Sequence, residues 1–447
     1  MSPSRRLDGG SRNAELAARC VFPSSPGSAP PDWVRRFLAG GGGGIVLFAY
    51  NVDTLESLAS LCAALRAERD QALLGIDEEG GDVTRLEWRT GSSYPSAAAL
   101  GAIDDVELTE EVAAAIGADL AAAGVNWNFA PVADVNVPEN PVIGTRSFGA
   151  DAALVARHVA ASVRGLQRQG VAACAKHFPG HGSTVEDSHL ALPALTGDLE
   201  DGLPPFRAAI AAGVGSIMTA HIRVHDDAAT LDETIVHDLL RDDLGFDGVV
   251  LADALEMKGV SGRHDPADAA VLALEAGCDA LIVGHDLGEE SVTRIVAALA
   301  ERVRPERLAE AAGRVDTLAA RAQPNGLPVA RERLRDAAAR ALQVEGEVAV
   351  GPGARIVELR PVANIAAGEA EHGIAATIVR EGGEVPDADV YVVRDVHRHP
   401  WMTAADRPGA VIVETGLPVW QPQHARGRIA TFGGGSGSLR AAAELLA

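Results

Sequence analysis

The sequence predicts an α/β fold, a TIM (β/α)8 barrel followed by a smaller α/β sandwich, and three observations lead to it. Short apolar runs alternate with Ala/Leu-rich amphipathic segments, the pattern of parallel strands buried by crossover helices. Eight such units fit within about 250–300 residues, the size of that barrel. Polar residues recur at the ends of the runs, where a barrel gathers them into one cavity. An open doubly wound sheet is the alternative, because periodicity does not report closure.

Strands are expected at Leu16 to Val21, Ile45 to Ala49, Leu73 to Asp77, Val125 to Phe129, Val171 to Lys176, Ser216 to His221, Gly248 to Asp253 and Ala280 to Val283. Between them, helices are expected at Asp53 to Asp70, Asp105 to Ala123, Asp151 to Gln169, Leu203 to Ala212, Thr234 to Asp242, Pro266 to Ala276 and Glu289 to Arg302. Several open on Asp or Thr, whose side-chain oxygen can accept from the first turn's free N–H groups, and Gly124, Gly170, Gly213 and Gly277 stand where a left-handed cap would end them. The pattern breaks near Pro324 to Pro328. We expect the barrel domain over 1–322, a linker and helix over 323–343, and a small domain over 344–447. In that last part, runs at Arg355 to Leu359, Ala376 to Val379, Val390 to Val393, Ala410 to Val413 and Ile429 to Phe432 are its strands. The tracts Gly40 to Gly44 and Gly433 to Ser438 read as flexible turns rather than phosphate cradles.

Composition narrows the function. At 447 residues with 47% apolar content, the chain can bury a large core, and no stretch approaches the roughly 20 apolar residues of a membrane helix. A net charge of −23 argues against a nucleic-acid surface, which needs an excess of Lys and Arg. The N-terminus lacks an apolar signal core, so a cytoplasmic location is expected, without membrane attachment and as a monomer or homodimer. Cys20, Cys62, Cys174 and Cys278 are scattered singly, which suits buried free thiols better than a metal or disulfide set.

The densest chemistry lies in Lys176 to Pro193, KHFPGHGSTVEDSHLALP, where three His, one Lys and two acids share a Gly/Pro-bearing loop after an apolar run. Other runs also end in polar groups: Asp77, the segment Asn126 to Asp134, His221 and Asp253. Singly, each could cap a turn or sit satisfied in the core. Five coincidences at one end of one barrel are harder to dismiss, because charged residues are seldom buried without a partner.

The ordered motifs GIDEEGGDVTR, APVADV, IGTRSFG, KHFPGHG with DSH, MTAHI and LADALEM closely resemble glycoside hydrolase family 3, in its β-N-acetylglucosaminidase branch, over about residues 14 to 320. The resemblance implies that Asp253 is the nucleophile, ionised at neutral pH and forming a covalent glycosyl-enzyme. It implies that His189 is the acid/base, oriented by Asp187. Asp77, Arg85, Arg146, Lys176, His177 and His221 are then expected around a small carbohydrate substrate, with His181 shaping the loop. No metal and no cofactor are expected: His177, His181, Asp187 and His189 lie on a Pro/Gly loop rather than one helix face.

Either water or inorganic phosphate could take the sugar from Asp253. An imidazole acid/base repels phosphate less than a carboxylate would. Ser183 and Thr184 offer neutral donors beside the Gly-His-Gly turn. On these grounds the expected reaction is phosphorolysis of β-glucosides or β-N-acetylglucosaminides, with hydrolysis of the same bonds as the alternative. A non-catalytic sugar-binding protein is the alternative of another class, and it would be expected to lack Asp253 or the Asp187/His189 pair.

Overall fold

The computed structural model describes residues 9–186, 191–284, 287–362 and 373–447. Among these, eight parallel strands form one sheet: β1 (Val21–Pro23), β2 (Gly44–Leu47), β3 (Leu73–Ile76), β4 (Trp127–Asn128), β5 (Ala172–Phe178), β6 (Ser216–Thr219), β7 (Val249–Ala252) and β8 (Ala280–Val283). Neighbours follow chain order from β2 to β8, and β8 pairs with β1. A parallel bridge from Ser24 to Val46 closes the remaining seam, so the sheet is a barrel rather than an open doubly wound layer.

The helices fall close to their expected places, with ends shifted by a residue or two, as Leu55–Glu68, Val106–Ala122, Ala152–Arg168, Pro266–Ala276 and Glu289–Arg302 illustrate. Asp105 and Asp151 cap theirs by accepting from Leu108 and Leu154 N–H, and Gly124 and Gly170 follow with φ of +80° and +72°. One element differs in kind. Leu16 to Arg19 ends a helix, Gly9–Arg19, and the first strand starts only at Val21. A short apolar run reads alike as a strand or as a buried helix face, and here Ala17 and Ala18 are the buried face of that helix.

Side chains alternate between two layers, as a closed parallel barrel requires. Phe22, Val46, Leu73, Trp127, Phe129, Cys174, Met218 and Leu251 fill the interior, with Trp127 edge-on to Phe22 and Phe129 at 5.2 and 5.1 Å. Gly75 admits the Phe129 ring, which a Cβ would meet at 2.3 Å. The opposite faces join the helices in a surrounding jacket. At the amino end of the strands, Val315, Leu318 and Ala319 of the helix Pro305–Arg321 plug the interior.

The ladder between β3 and β4 is short, because β4 has only two residues. Buried amides extend it: Asn126 accepts from Leu74 N–H at 2.7 Å and donates to Ala72 O at 3.1 Å, while Asn128 accepts from Glu78 N–H at 3.0 Å and donates to Glu78 O at 2.9 Å. Side-chain amides thus stand in for missing backbone rungs. The four cysteines are buried free thiols, and burial pushes each up to about 12.

A second, six-stranded sheet follows, built from β9 (Gln343–Gly346), β10 (Ile356–Leu359), β11 (Thr377–Val379), β12 (Val390–Val393), β13 (Val411–Glu414) and β14 (Gly427–Ala430). Its order is β11-β10-β12-β13-β14-β9, parallel except for β9, which pairs antiparallel with β14. β9 is exposed along its length, so hydrophobic periodicity gives no sign of it. The Gly433 to Ser438 tract is not a free turn either. Gly434 N–H reaches Asp82 at 2.8 Å, Ser436 Oγ reaches Gly91 O at 2.9 Å, and the helix Ser436–Leu446 starts there.

Candidate active site

The carboxyl ends of β3 to β7 bring together the polar groups expected at one mouth. β5 carries Lys176 into the barrel, where only 2% of it is exposed. Its ammonium lies 2.6 Å from Asp77 Oδ1 and 2.7 Å from Glu79 Oε1. Arg146, on the turn Gly144–Arg146, forks onto Glu79 at 2.9 and 2.8 Å. Arg85 approaches Asp77 Oδ2 at 3.8 Å. Three cations therefore hold two carboxylates, leaving one positive charge in excess.

Burial disfavours the charged form of each member, and the neighbours reverse this. Burial alone would raise Glu79, but the Arg146 guanidinium and the Lys176 ammonium together hold its carboxyl well below the usual range. For Lys176 burial works downward, and Asp77 and Glu79 outweigh it, so the ammonium keeps its proton more firmly than in water. Such groups are permanent charge-assisted donors and acceptors, suited to gripping neutral hydroxyls.

A second cluster stands on Asp134, which is fully buried. Its carboxylate accepts from His177 Nδ1 at 2.8 Å and from the His181 N–H at 2.6 Å. An acceptor on Nδ1 places that proton and directs Nε2 away from Asp134. The His181 Nδ1 meets Thr184 Oγ1 at 2.8 Å, and burial, with His177 nearby, lowers His181 to about 4. His181 is thus neutral at neutral pH and braces the loop from inside. Asn140 ties the same loop by donating to His181 O at 2.8 Å and Thr184 O at 2.9 Å.

Thr184 is fully buried, and its hydroxyl, engaged with His181, faces the loop rather than a cleft. Ser183 offers its carbonyl to the Thr196 hydroxyl. Asp187 and His189 lie outside the described residues. On the far side of that gap, Ala191 O comes near Gly259, where an added Cβ would sit 3.3 Å from it and 3.0 Å from His221 O.

His221 and Asp253 occupy the ends of β6 and β7. His221 is buried, with Nδ1 3.0 Å from Thr230 Oγ1 and Nε2 3.0 Å from Ala254 O. A carbonyl only accepts, so Nε2 carries the proton. His221 thereby grips the backbone next to Asp253 and braces the segment that carries it. Asp253 is half-buried and accepts from Ala254 N–H at 2.7 Å. Glu256 follows, accepting from Gly284 N–H at 3.0 Å, and Gly284 has no room for a side chain because a Cβ would fall 1.4 Å from Glu256 Oε1.

Sequence reading singled out neither Glu79 nor Asp134 nor Glu256 by role. All three stand inside quoted motifs, and a run of acids such as Asp77, Glu78 and Glu79 signals that cations must be close. Which acid takes which cation needs the fold. Beside the site, a cleft of about 500 Å³ opens between the barrel and the second sheet, with Arg85, Trp88 and Arg146 on one wall and Arg360, Arg394 and Arg398 on the other.

A barrel plugged by apolar side chains at one end and lined by carboxylates and cations at the other belongs to the enzymes that work at the carboxyl ends of their strands. The family model "Glycosyl hydrolase family 3 N terminal domain" matches residues 33–321, and the chain belongs to that family. The structure is similar to that of a family 3 beta-N-acetylglucosaminidase from Paenibacillus sp., with a TM-score of 0.86 and 30% identity over 97% of this chain and 96% of that one. The chain is 37% identical over 290 residues to a beta-hexosaminidase of Chromobacterium violaceum, covering 61% of this chain and 80% of the relative. It is 38% identical over 268 residues to beta-hexosaminidase A of Pseudoalteromonas piscicida, covering 53% of this chain and less than half, 45%, of that protein. These relatives carry the names of hexosaminidases, which favours the hydrolytic alternative over the phosphorolysis expected from the sequence.

Proposed function

We propose that the protein is a retaining, exo-acting β-N-acetylglucosaminidase that delivers the sugar to water. The observation that carries this is the network of Asp77, Lys176, Glu79 and Arg146 at the barrel mouth, on strands neighbouring the one that ends in Asp253. Asp77, Arg85, Arg146, Lys176 and His177 hold the terminal sugar by its hydroxyls. Asp253 attacks the anomeric carbon as the aglycone oxygen leaves with a proton from His189, whose imidazolium Asp187 stabilises. Neutral His189 then takes a proton from water, which attacks the same carbon and releases the Asp253 carboxylate. His221 serves by bracing the Asp253 segment.

Water is favoured over phosphate on two grounds. The relatives are named hexosaminidases, and the Thr184 hydroxyl invoked for phosphate is engaged inside its own loop. The test follows products from aryl β-N-acetylglucosaminide and aryl β-glucoside, with and without phosphate, by phosphorus NMR. Free N-acetylglucosamine at a phosphate-independent rate is the expected result; accumulation of a sugar 1-phosphate would restore phosphorolysis. Trapping with a 2-deoxy-2-fluoro glycoside should label Asp253, and a label elsewhere would remove it from its role.

A further inference from the structure

Four acids crowd six positions of the loop after β3: Asp77, Glu78, Glu79 and Asp82. The barrel itself balances three. Lys176 faces Asp77 and Glu79, Arg146 forks onto Glu79, and Glu78 accepts from Arg85 and Leu86 N–H at 2.8 and 2.9 Å. The cation that faces Asp82 comes from the second sheet. Arg394, directly after β12, donates to Asp82 Oδ1 at 3.0 Å and Oδ2 at 2.8 Å. The same carboxylate accepts from Thr145 Oγ1 at 2.5 Å and from Gly434 N–H at 2.8 Å. Arg394 also reaches Thr145 Oγ1 at 3.3 Å.

Asp82 shares its loop with Asp77 and Arg85, and Thr145 directly precedes Arg146. One fork from outside the barrel therefore ties together the two loops whose charged groups meet around Lys176. We infer that Arg394 is a positioning residue for the sugar site, holding these loops in the register that lets Arg85 and Arg146 act together. This rests on the proposed assignment of Asp77, Arg85, Arg146 and Lys176 to the sugar. Without Arg394, Asp82 would be a buried carboxylate among three other acids with no cation facing it, a state relieved only by protonation or by movement of the loop.

Simple docking of the second sheet is a separate matter, and other contacts on that side of the barrel provide the control. Arg340 reaches Asp105 Oδ2 at 2.9 Å and Arg333 reaches Glu111 Oε1 at 2.7 Å, both on the cap and first turns of Val106–Ala122, which supplies none of the site residues.

The experiment is steady-state kinetics of full-length Arg394→Met, Arg394→Lys and Arg340→Ala on an aryl β-N-acetylglucosaminide. Arg394→Met should lower kcat/KM about a hundredfold, with a rise in KM of about tenfold within it, as expected when substrate-holding groups are displaced. Arg394→Lys, a point charge without the fork, should fall between it and wild type. Arg340→Ala should stay within about twofold of wild type, the range of an exposed ion pair. Unchanged KM in Arg394→Met, or an equal loss in Arg340→Ala, overturns the inference. If Arg394→Met does not fold, Thr145→Val keeps the ion pair and the shape while removing the hydroxyl that joins Asp82 to the Arg146 turn. Its KM should rise by about threefold or more, and an unchanged KM again overturns the inference. Wild-type protein that turns over no glycoside would instead remove the sugar assignment, a failure read from a different sample.

Discussion

The barrel has a buried ion cluster at each end, and the two differ in what their charges face. At the amino end, fully buried Asp279 meets Arg307 at 2.7 Å, Arg314 at 3.3 Å and Arg241. Those groups also bind backbone: Asp279 accepts from Val250 N–H at 3.0 Å, Arg307 donates to Leu274 O at 3.0 Å, and Arg241 donates to Phe246 O at 2.8 Å and Gly248 O at 2.6 Å. At the carboxyl end, Lys176, Arg146, Asp77 and Glu79 meet mainly side chain to side chain, and Arg85 and Arg146 border the cleft. A buried ion cluster is therefore not in itself a sign of catalysis. Charges locked to backbone anchor loops and helices, whereas charges that hold one another beside a cavity are available to a ligand.

Substitutions at the two ends should separate along that line. The largest effect is expected from Asp253→Gly, with kcat down about ten-thousandfold, on the scale of a lost catalytic carboxylate. Its thermal midpoint should stay near that of wild type; a collapse of the fold by circular dichroism would place Asp253 with the anchoring class. Lys176→Met comes next, lowering kcat/KM about a thousandfold, as loss of a preorganised donor does, and inhibitor titration should show binding weakened along with turnover.

Arg307→Met tests the other end. It leaves Asp279 short of a partner and should cost about 3 kcal/mol of stability in urea unfolding. Turnover per folded molecule should match wild type, and a loss in both would erase the distinction between the two ends.

The smallest effect concerns Glu78, which lies beside the functional cluster but faces backbone. Burial pushes its carboxyl up to about 7, opposed in part by the Leu86 N–H, the Thr84 hydroxyl and the Arg85 N–H. Its folded value lies above the unfolded one, so its stabilising contribution is complete below about pH 4.3 and is lost as pH rises toward 7. Glu78→Gln should remove that slope and make the variant about 2 kcal/mol more stable relative to wild type at pH 8 than at pH 4. Parallel pH profiles for the two proteins would show that Glu78 carries no such linkage.

Much of this was legible before the fold. Seven of the eight barrel strands announced themselves as apolar runs bounded by helix caps, and Asp77, Lys176, His177, His221 and Asp253 stood at their ends. The first strand was misplaced because Leu16 to Val21 is too short for periodicity to separate a helix face from a strand. β9 was missed because its residues are exposed and show no alternation. His221 was expected among the sugar-binding groups, but its ring nitrogens meet Thr230 and Ala254, partners that only the packed loops reveal.

The sequence by itself determined the α/β pattern, the places where chemistry could stand and the family whose motifs it carries, because these depend on local periodicity and residue type. Tertiary structure decided closure of the barrel, the pairing of Glu79 with Arg146 and Lys176, the hold of Asp134 on His177 and His181, and the reach of Arg394 to Asp82. That last pair is 312 positions apart in the chain. Local patterns record which face of a strand or helix is buried, while the partner of a buried charge is set by how distant segments pack.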